Sequence, residues 1–144
     1  MTITVHGLPA PQGSKRFMGL KGGRGILIES SKKVKPWREA VKWAALEQGG
    51  RMAGPVVVDI VFTLPKPKSA PKRRETYPDR HPDLSKLIRS TEDALTDAGV
   101  WEDDARVIRC VALKVYPGQH AQALATPGAV ITIRSITDLS VVLA

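Results

Sequence analysis

The run PVVVDIVFTLP, residues 55–65, constrains this chain more than any other segment. Its density of β-branched residues suits extended backbone at the centre of a sheet, and Pro65 closes it because proline cannot donate to a strand ladder. A central strand needs neighbours, and the chain offers several. TITVHG reads as a short first strand ended by Gly7, Pro9 and Pro11, GILIES as a short second one, and GAVITIRSI as the last. ARVIRCVALKVYPG is long and apolar on both sides, which predicts a strand in the sheet interior.

Two segments have helical spacing instead. In KPWREAVKWAALEQGG, Trp37, Val41, Ala44 and Ala45 share one face, and Gly49-Gly50 ends the run. The second helix spans about Asp83 to Ala98, with Leu84, Leu87, Ile88, Thr91 and Leu95 as its buried stripe. Ser85, Lys86, Arg89 and Asp93 fall opposite, and Asp97-Ala98-Gly99 supplies the stop. Strands and helices mix without strict alternation. The expected fold is therefore α+β, a mixed, mainly antiparallel sheet with two helices packed on it. At 144 residues the chain suits a single small domain, residues 1–144, with one core.

The remaining segments are basic. GSKRFMGLKGGRG reads as a flexible loop carrying Lys15 and Arg16, its glycines suited to lying against a ligand. Residues 65–82, PKPKSAPKRRETYPDRHP, read as an exposed, proline-stiffened loop with Lys66, Lys68, Lys72, Arg73, Arg74 and Arg80. Such a run can be only a solvated surface; its place just before an acidic motif favours contact with DNA. The net charge of +8 points the same way, toward a polyanion, with nucleic acid ahead of a membrane surface. No stretch approaches the roughly 18 apolar residues of a membrane span, and no signal peptide is visible. The expected location is the cytoplasm. A single cysteine, Cys110, excludes an intramolecular disulfide and reads as a buried strand thiol. The tail TDLSVVLA is apolar enough to pack, on this chain or on a partner subunit.

Against this basic background stands HPDLSKLIRSTEDALTDAGVWEDDARVI, residues 81–108. It puts Asp83 at a helix start and Asp103-Asp104 at the start of the next strand. A helix of about 15 residues advances roughly 22 Å, and a nearly extended return over residues 99–104 retraces roughly 17–20 Å. The chain can thus carry Asp104 back beside Asp83. Carboxylates so gathered suit magnesium or manganese, which takes oxygen ligands and can orient water for attack on a phosphate. The ion would offset the repulsion between Asp103 and Asp104, while Lys86 or Arg89 neutralises charge developing on the phosphorane. A plain helix cap at Asp83 and an ordinary acidic turn explain the same residues without a metal. Trp101 reads as packing beneath that turn, with base stacking the alternative. His6, His81 and His120 do not cluster at ligand spacing, and no nucleophile pattern or P-loop surrounds Ser14 or Ser85.

From Pro82 to Val107 the sequence resembles the RusA-type Holliday junction resolvases, with PDL-x-K-L-x-R, DALT-x-AGVW and DDA-x-V in order and spacing. GLPAPQGSKRF near the N-terminus is more loosely similar to the same family. The resemblance implies a homodimer that binds four-way DNA junctions and, with Mg2+ or Mn2+, makes paired symmetric nicks. It implies no small-molecule organic cofactor and no membrane. By position, Asp83 and Asp104 correspond to catalytic, metal-binding carboxylates, with Asp103 adjoining. Arg89 falls where many members carry a lysine, and Lys86 replaces a frequent asparagine. Ser85 departs from the pattern, which has a metal-ligating aspartate there. An engineered change, a natural variant compensated by a residue such as Asp103, or a degenerate enzyme would each account for it. Two functions are therefore expected in order: a structure-selective endonuclease impaired by Ser85, or a non-catalytic branched-DNA-binding protein on the same fold. A general basic RNA- or ribosome-associated protein is the remote third.

Overall fold

A computed structural model describes residues 1–13, 15–21, 24–29 and 32–136, with residues 15–21 and 24–29 described by their backbone alone. The order is β1 (Thr2–His6), β2 (Lys15–Lys21), β3 (Arg24–Glu29), α1 (Val34–Gln48), β4 (Val56–Thr63), α2 (Leu84–Asp97), a 3-10 turn (Asp104–Arg106), β5 (Val107–Val115) and β6 (Gly128–Ser135). Four strands form one sheet in the order β1-β6-β4-β5. Strand β6 is antiparallel to both β1 and β4, whereas β4 and β5 are parallel. The fold is α+β with a mixed, mainly antiparallel sheet.

The strand that anchored the sequence reading is central, and its alternation shows why. Val56, Val58, Ile60 and Phe62 are at most 1 % exposed and join one core with Ile3 and Val5 of β1 and Ala129, Ile131 and Ile133 of β6. Trp37, Val41 and Ala45 of α1 and Leu87, Ala94 and Leu95 of α2 enter the same core, so both helices cover one face of the sheet. The Trp37 ring meets Phe62 at 6.4 Å between centroids. Its indole N–H donates to Thr91 Oγ1 at 3.1 Å, giving a buried polar atom its partner and locking α1 to α2. Each fully buried large side chain contributes roughly 1.5–3 kcal/mol.

The parallel pairing of β4 with β5 requires a crossover, and residues 64–106 supply it. The basic loop, α2 and the acidic turn all lie on that one connection. Trp101 is buried in the core and donates through Nε1 to Thr96 Oγ1 at 2.8 Å, so it packs rather than offering a face for base stacking.

Two expectations need correction. The composition of residues 13–25 suggests a loop, but Lys15–Lys21 forms a strand paired antiparallel with Arg24–Glu29 as a two-stranded sheet of its own. Its alternation is masked by glycines and lysines, so the pattern alone looks irregular. β5 was expected in the sheet interior, and it lies at the edge. Ile108, Val111 and Leu113 are 50 %, 41 % and 41 % exposed, so an apolar run here marks an uncovered strand rather than one flanked on both sides. Cys110 is correspondingly half-buried. The tail from residue 137 lies outside the described residues.

Candidate active site

Helix α2 starts where Pro82 leaves Asp83 in extended backbone, φ −66° and ψ 134°. Asp83 occupies the N-cap position, yet its side chain makes no capping hydrogen bond. It turns outward, with Oδ1 3.1 Å from His81 Nδ1 and Oδ2 3.8 Å from Lys86 Nζ. The capping explanation of Asp83 therefore holds for the backbone and fails for the carboxylate. Lys114 of β5 fixes the approach to the helix, donating to the carbonyls of Arg80 at 3.0 Å and Pro82 at 2.9 Å. The opposite side is tied down by Ser90 Oγ, which donates to Ala10 O at 2.7 Å, and by the Gln12 N–H, which donates to Lys86 O at 3.0 Å. Ser85 and Arg89 are exposed on this helix.

At the other end, the acidic turn is a small proton-sharing unit. Asp103 accepts the Ala105 N–H at 2.8 Å and bonds to Asp104. That backbone N–H first, and then Asp104, hold the Asp103 carboxyl below its ordinary value; Asp104 is pushed up by the bond to Asp103, by desolvation and by the charges of Asp103 and Asp93. Glu92 joins them from α2. Burial, Asp104 and Asp93 raise its pKa to about 7. The thiol of Cys110 is raised to about 11 by burial, Glu92 and Asp59, which keeps it protonated and unreactive.

The structure thus gathers Asp103, Asp104, Glu92 and Asp93, and places Asp83 in a separate setting with Lys86 and His81. Glu92 is nine residues along the chain from Asp83, roughly 13 Å of helix axis. The return from α2 is less extended than the sequence geometry allowed. Gly99 takes φ 75°, the Val100 N–H bonds back to Leu95 O, and Asp104–Arg106 coils into its 3-10 turn. Among the described residues, no three acidic, histidine or cysteine side chains stand close enough to hold one ion. The donor chemistry nonetheless suits a hard divalent cation, since all four grouped side chains are carboxylates. The sequence motifs single out Asp83, Asp103 and Asp104 and pass over Glu92. The signal available was its spacing: Ser85, Arg89 and Glu92 are four and three residues apart, on one side of α2.

Lys66, Lys68, Lys72, Arg73, Arg74 and Arg80 are all exposed on the loop between β4 and α2, as expected. Lys15 and Arg16 lie on β2, and their side chains are outside the described residues. Two adjoining hollows open beside this loop. One, of ≈ 870 Å³, lies between residues 8–11 and the 64–82 loop; the other, of ≈ 630 Å³, contains Asp83 and Lys86.

The family model described as Endodeoxyribonuclease RusA matches residues 7–133 of the 144. The chain belongs to the RusA endodeoxyribonuclease family. The match takes in β4, β5 and all but the last two residues of β6, together with both helices, the basic loop and the acidic turn; β1 lies just ahead of it. No curated protein matches the chain. Within a RusA-family fold, the basic crossover loop and the carboxylates of α2 and the turn are adjacent stretches of one connection. No helix of the described residues is long and apolar enough to cross a membrane.

Proposed function

We propose that this chain recognises four-way DNA junctions as a cytoplasmic homodimer and nicks them in symmetric pairs with a divalent cation, Mg2+ or Mn2+. The observation that carries the reading is the acidic group at Asp103-Asp104, reinforced by Glu92 and Asp93, on the crossover whose loop bears six exposed lysines and arginines. Carboxylates that share protons and repel one another in a protein of net charge +8 are poised to exchange those protons for a cation.

Asp104 and Asp103 would hold the ion, with Glu92 and Asp83 as further carboxylates toward the DNA. When bound, such an ion activates water and stabilises the leaving oxygen of a phosphodiester. The protein supplies the rest. Lys86 and Arg89 offset charge at the phosphate, and Lys114 keeps the α2 N-terminus in place through two carbonyls. Lys66, Lys68, Lys72, Arg73, Arg74 and Arg80, with Lys15 and Arg16, bind the backbone of the arms by a salt-sensitive term. A two-fold dimer presents two equivalent sites to a junction of matching symmetry.

Ser85 limits this activity. It is exposed on the helix face that leads to Glu92, and its neutral hydroxyl is a much weaker ligand than a carboxylate. We expect firm junction binding and slow cleavage. A nicking assay on a synthetic four-way junction with Mg2+ or Mn2+, run beside Ser85→Asp, tests this. Equal rates for the two proteins would overturn the assigned role of Ser85. Absence of nicking by both, with junction binding retained, would favour the second reading, a non-catalytic branched-DNA-binding protein.

A further inference from the structure

We propose that the ≈ 870 Å³ cleft between residues 8–11 and the 64–82 loop holds an unpaired nucleobase of the DNA, stacked on the ring of Tyr77. Tyr77 is 64 % exposed and Leu8 is 42 % exposed, and both of these large side chains line the same cleft. Leaving such surface uncovered is unfavourable unless something covers it in use. Tyr116, nearly buried, lines the cleft as well.

The ring is carried on a fastened segment. Thr76 O accepts Gln119 Nε2 at 2.6 Å, Tyr77 O accepts the Asp79 N–H at 2.8 Å, and Arg80 O is held by Lys114. A stacking platform on fixed backbone loses little freedom when a base arrives. Charge selects the ligand class. Arg74, Arg80 and Lys33 line the cleft, and among the described residues none of them has a carboxylate partner. Among the described residues that line the cleft, Asp79 is the one carboxylate, a group suited to accept a hydrogen bond from an exocyclic amino group rather than to meet a phosphate. An aromatic ring, apolar walls and unpaired cations together describe a nucleotide site. The volume falls within the roughly 300–1,000 Å³ typical of small-ligand clefts.

Only an unstacked base can present its face to Tyr77, which excludes the interior of a regular duplex and selects branch points and single strands. The cleft also leads to the candidate chemistry. It shares Pro11, Lys33, His81 and Pro82 with the neighbouring hollow that contains Asp83 and Lys86. A base held on Tyr77 would therefore set the adjoining phosphate toward Asp83. This subsite deepens the DNA-junction reading and rests on it for its biological substrate, but its test needs no cleavage.

The test measures binding of the full chain to a short fluorescent single strand, to a linear duplex of the same length and to a four-way junction. Tyr77→Ala should weaken single-strand binding roughly tenfold, leave the duplex unchanged and lower junction affinity. Tyr77→Trp should restore binding, which separates lost stacking from a misfolded loop. Equal losses on single strand and duplex, no loss at all, or failure of Tyr77→Trp to restore binding would overturn the subsite. If Tyr77 governs single-strand binding while the chain shows no preference for a junction over a duplex, the subsite stands and the junction reading falls.

Discussion

The two ends of α2 are built from the same residue types and behave differently. At the N-terminal end, Asp83 has the Lys86 ammonium at 3.8 Å and the His81 ring at 3.1 Å, and the backbone is pinned by Lys114. Toward the C-terminal end, Glu92 and Asp93 meet Asp104 with carboxylates as their charged neighbours, and Glu92 titrates near 7. At one end Lys86 offsets Asp83; at the other, neighbouring carboxylates press Glu92 and Asp104 toward the protonated form, while Arg106 offsets Asp103. The comparison teaches that an acidic motif is not one electrostatic object merely because its residues are near in sequence.

The largest expected effect breaks the comparison directly. In a Ser85→Asp background, Asp104→Asn should reduce junction nicking on the order of 100-fold or more, as loss of a group stabilising the reacting charge does, with binding largely intact by gel shift. Asp83→Asn should do the same if both ends serve one reaction. A variant that kept full nicking would remove that end from the site.

Next in size is the packing that holds α2. Phe62→Ala should cost about 3–5 kcal/mol in urea unfolding, because the residue is fully buried beneath Trp37. Thr91→Val should cost about 1–3 kcal/mol, since it orphans the buried Trp37 N–H. A loss under 0.5 kcal/mol for Thr91→Val would mean that helix pairing rests on apolar contact alone.

A subtler outcome sharpens the contrast. Lys114→Met removes the grip on Arg80 O and Pro82 O. Hydrogen exchange should speed up at the first turn of α2 and stay unchanged near Gly99, where the turn closes through its own backbone bonds. Uniform acceleration along the helix would show that the two ends open together.

The smallest effect is a pH dependence. Glu92 binds its proton more tightly folded than unfolded, because its pKa rises from 4.5 to about 7. Its contribution to stability is thus full below about 4.5 and is lost as pH rises through about 7. Glu92→Gln should flatten that part of the stability–pH profile, modestly because Glu92 is only half-buried and solvent screens it. An unchanged profile would place Glu92 outside the acidic group.

Much of this was legible in the chain. β4 announced itself by β-branched density, α1 and α2 by the spacing of Trp37, Val41, Leu87 and Leu95, and the basic loop by its prolines and charges. The edge position of β5 was not, because an apolar run reports only that a strand has apolar neighbours or partners, and not on which sides. Nor was the place of Glu92 in the acidic group: it comes from a turn that coils instead of extending, a feature set by Gly99 and the bond from Val100 to Leu95 O.

By itself, then, the sequence determined the α+β class, the family, and the placing of Asp83, Ser85, Asp103 and Asp104 around one helix, since periodicity and motif spacing are local properties. Only the tertiary structure decided which carboxylates share charge, that Lys114 reaches back to the α2 entry, and that Tyr77 and Leu8 open into one cleft. Those depend on residues remote in the chain meeting across the crossover, and local patterns carry no information about such distances.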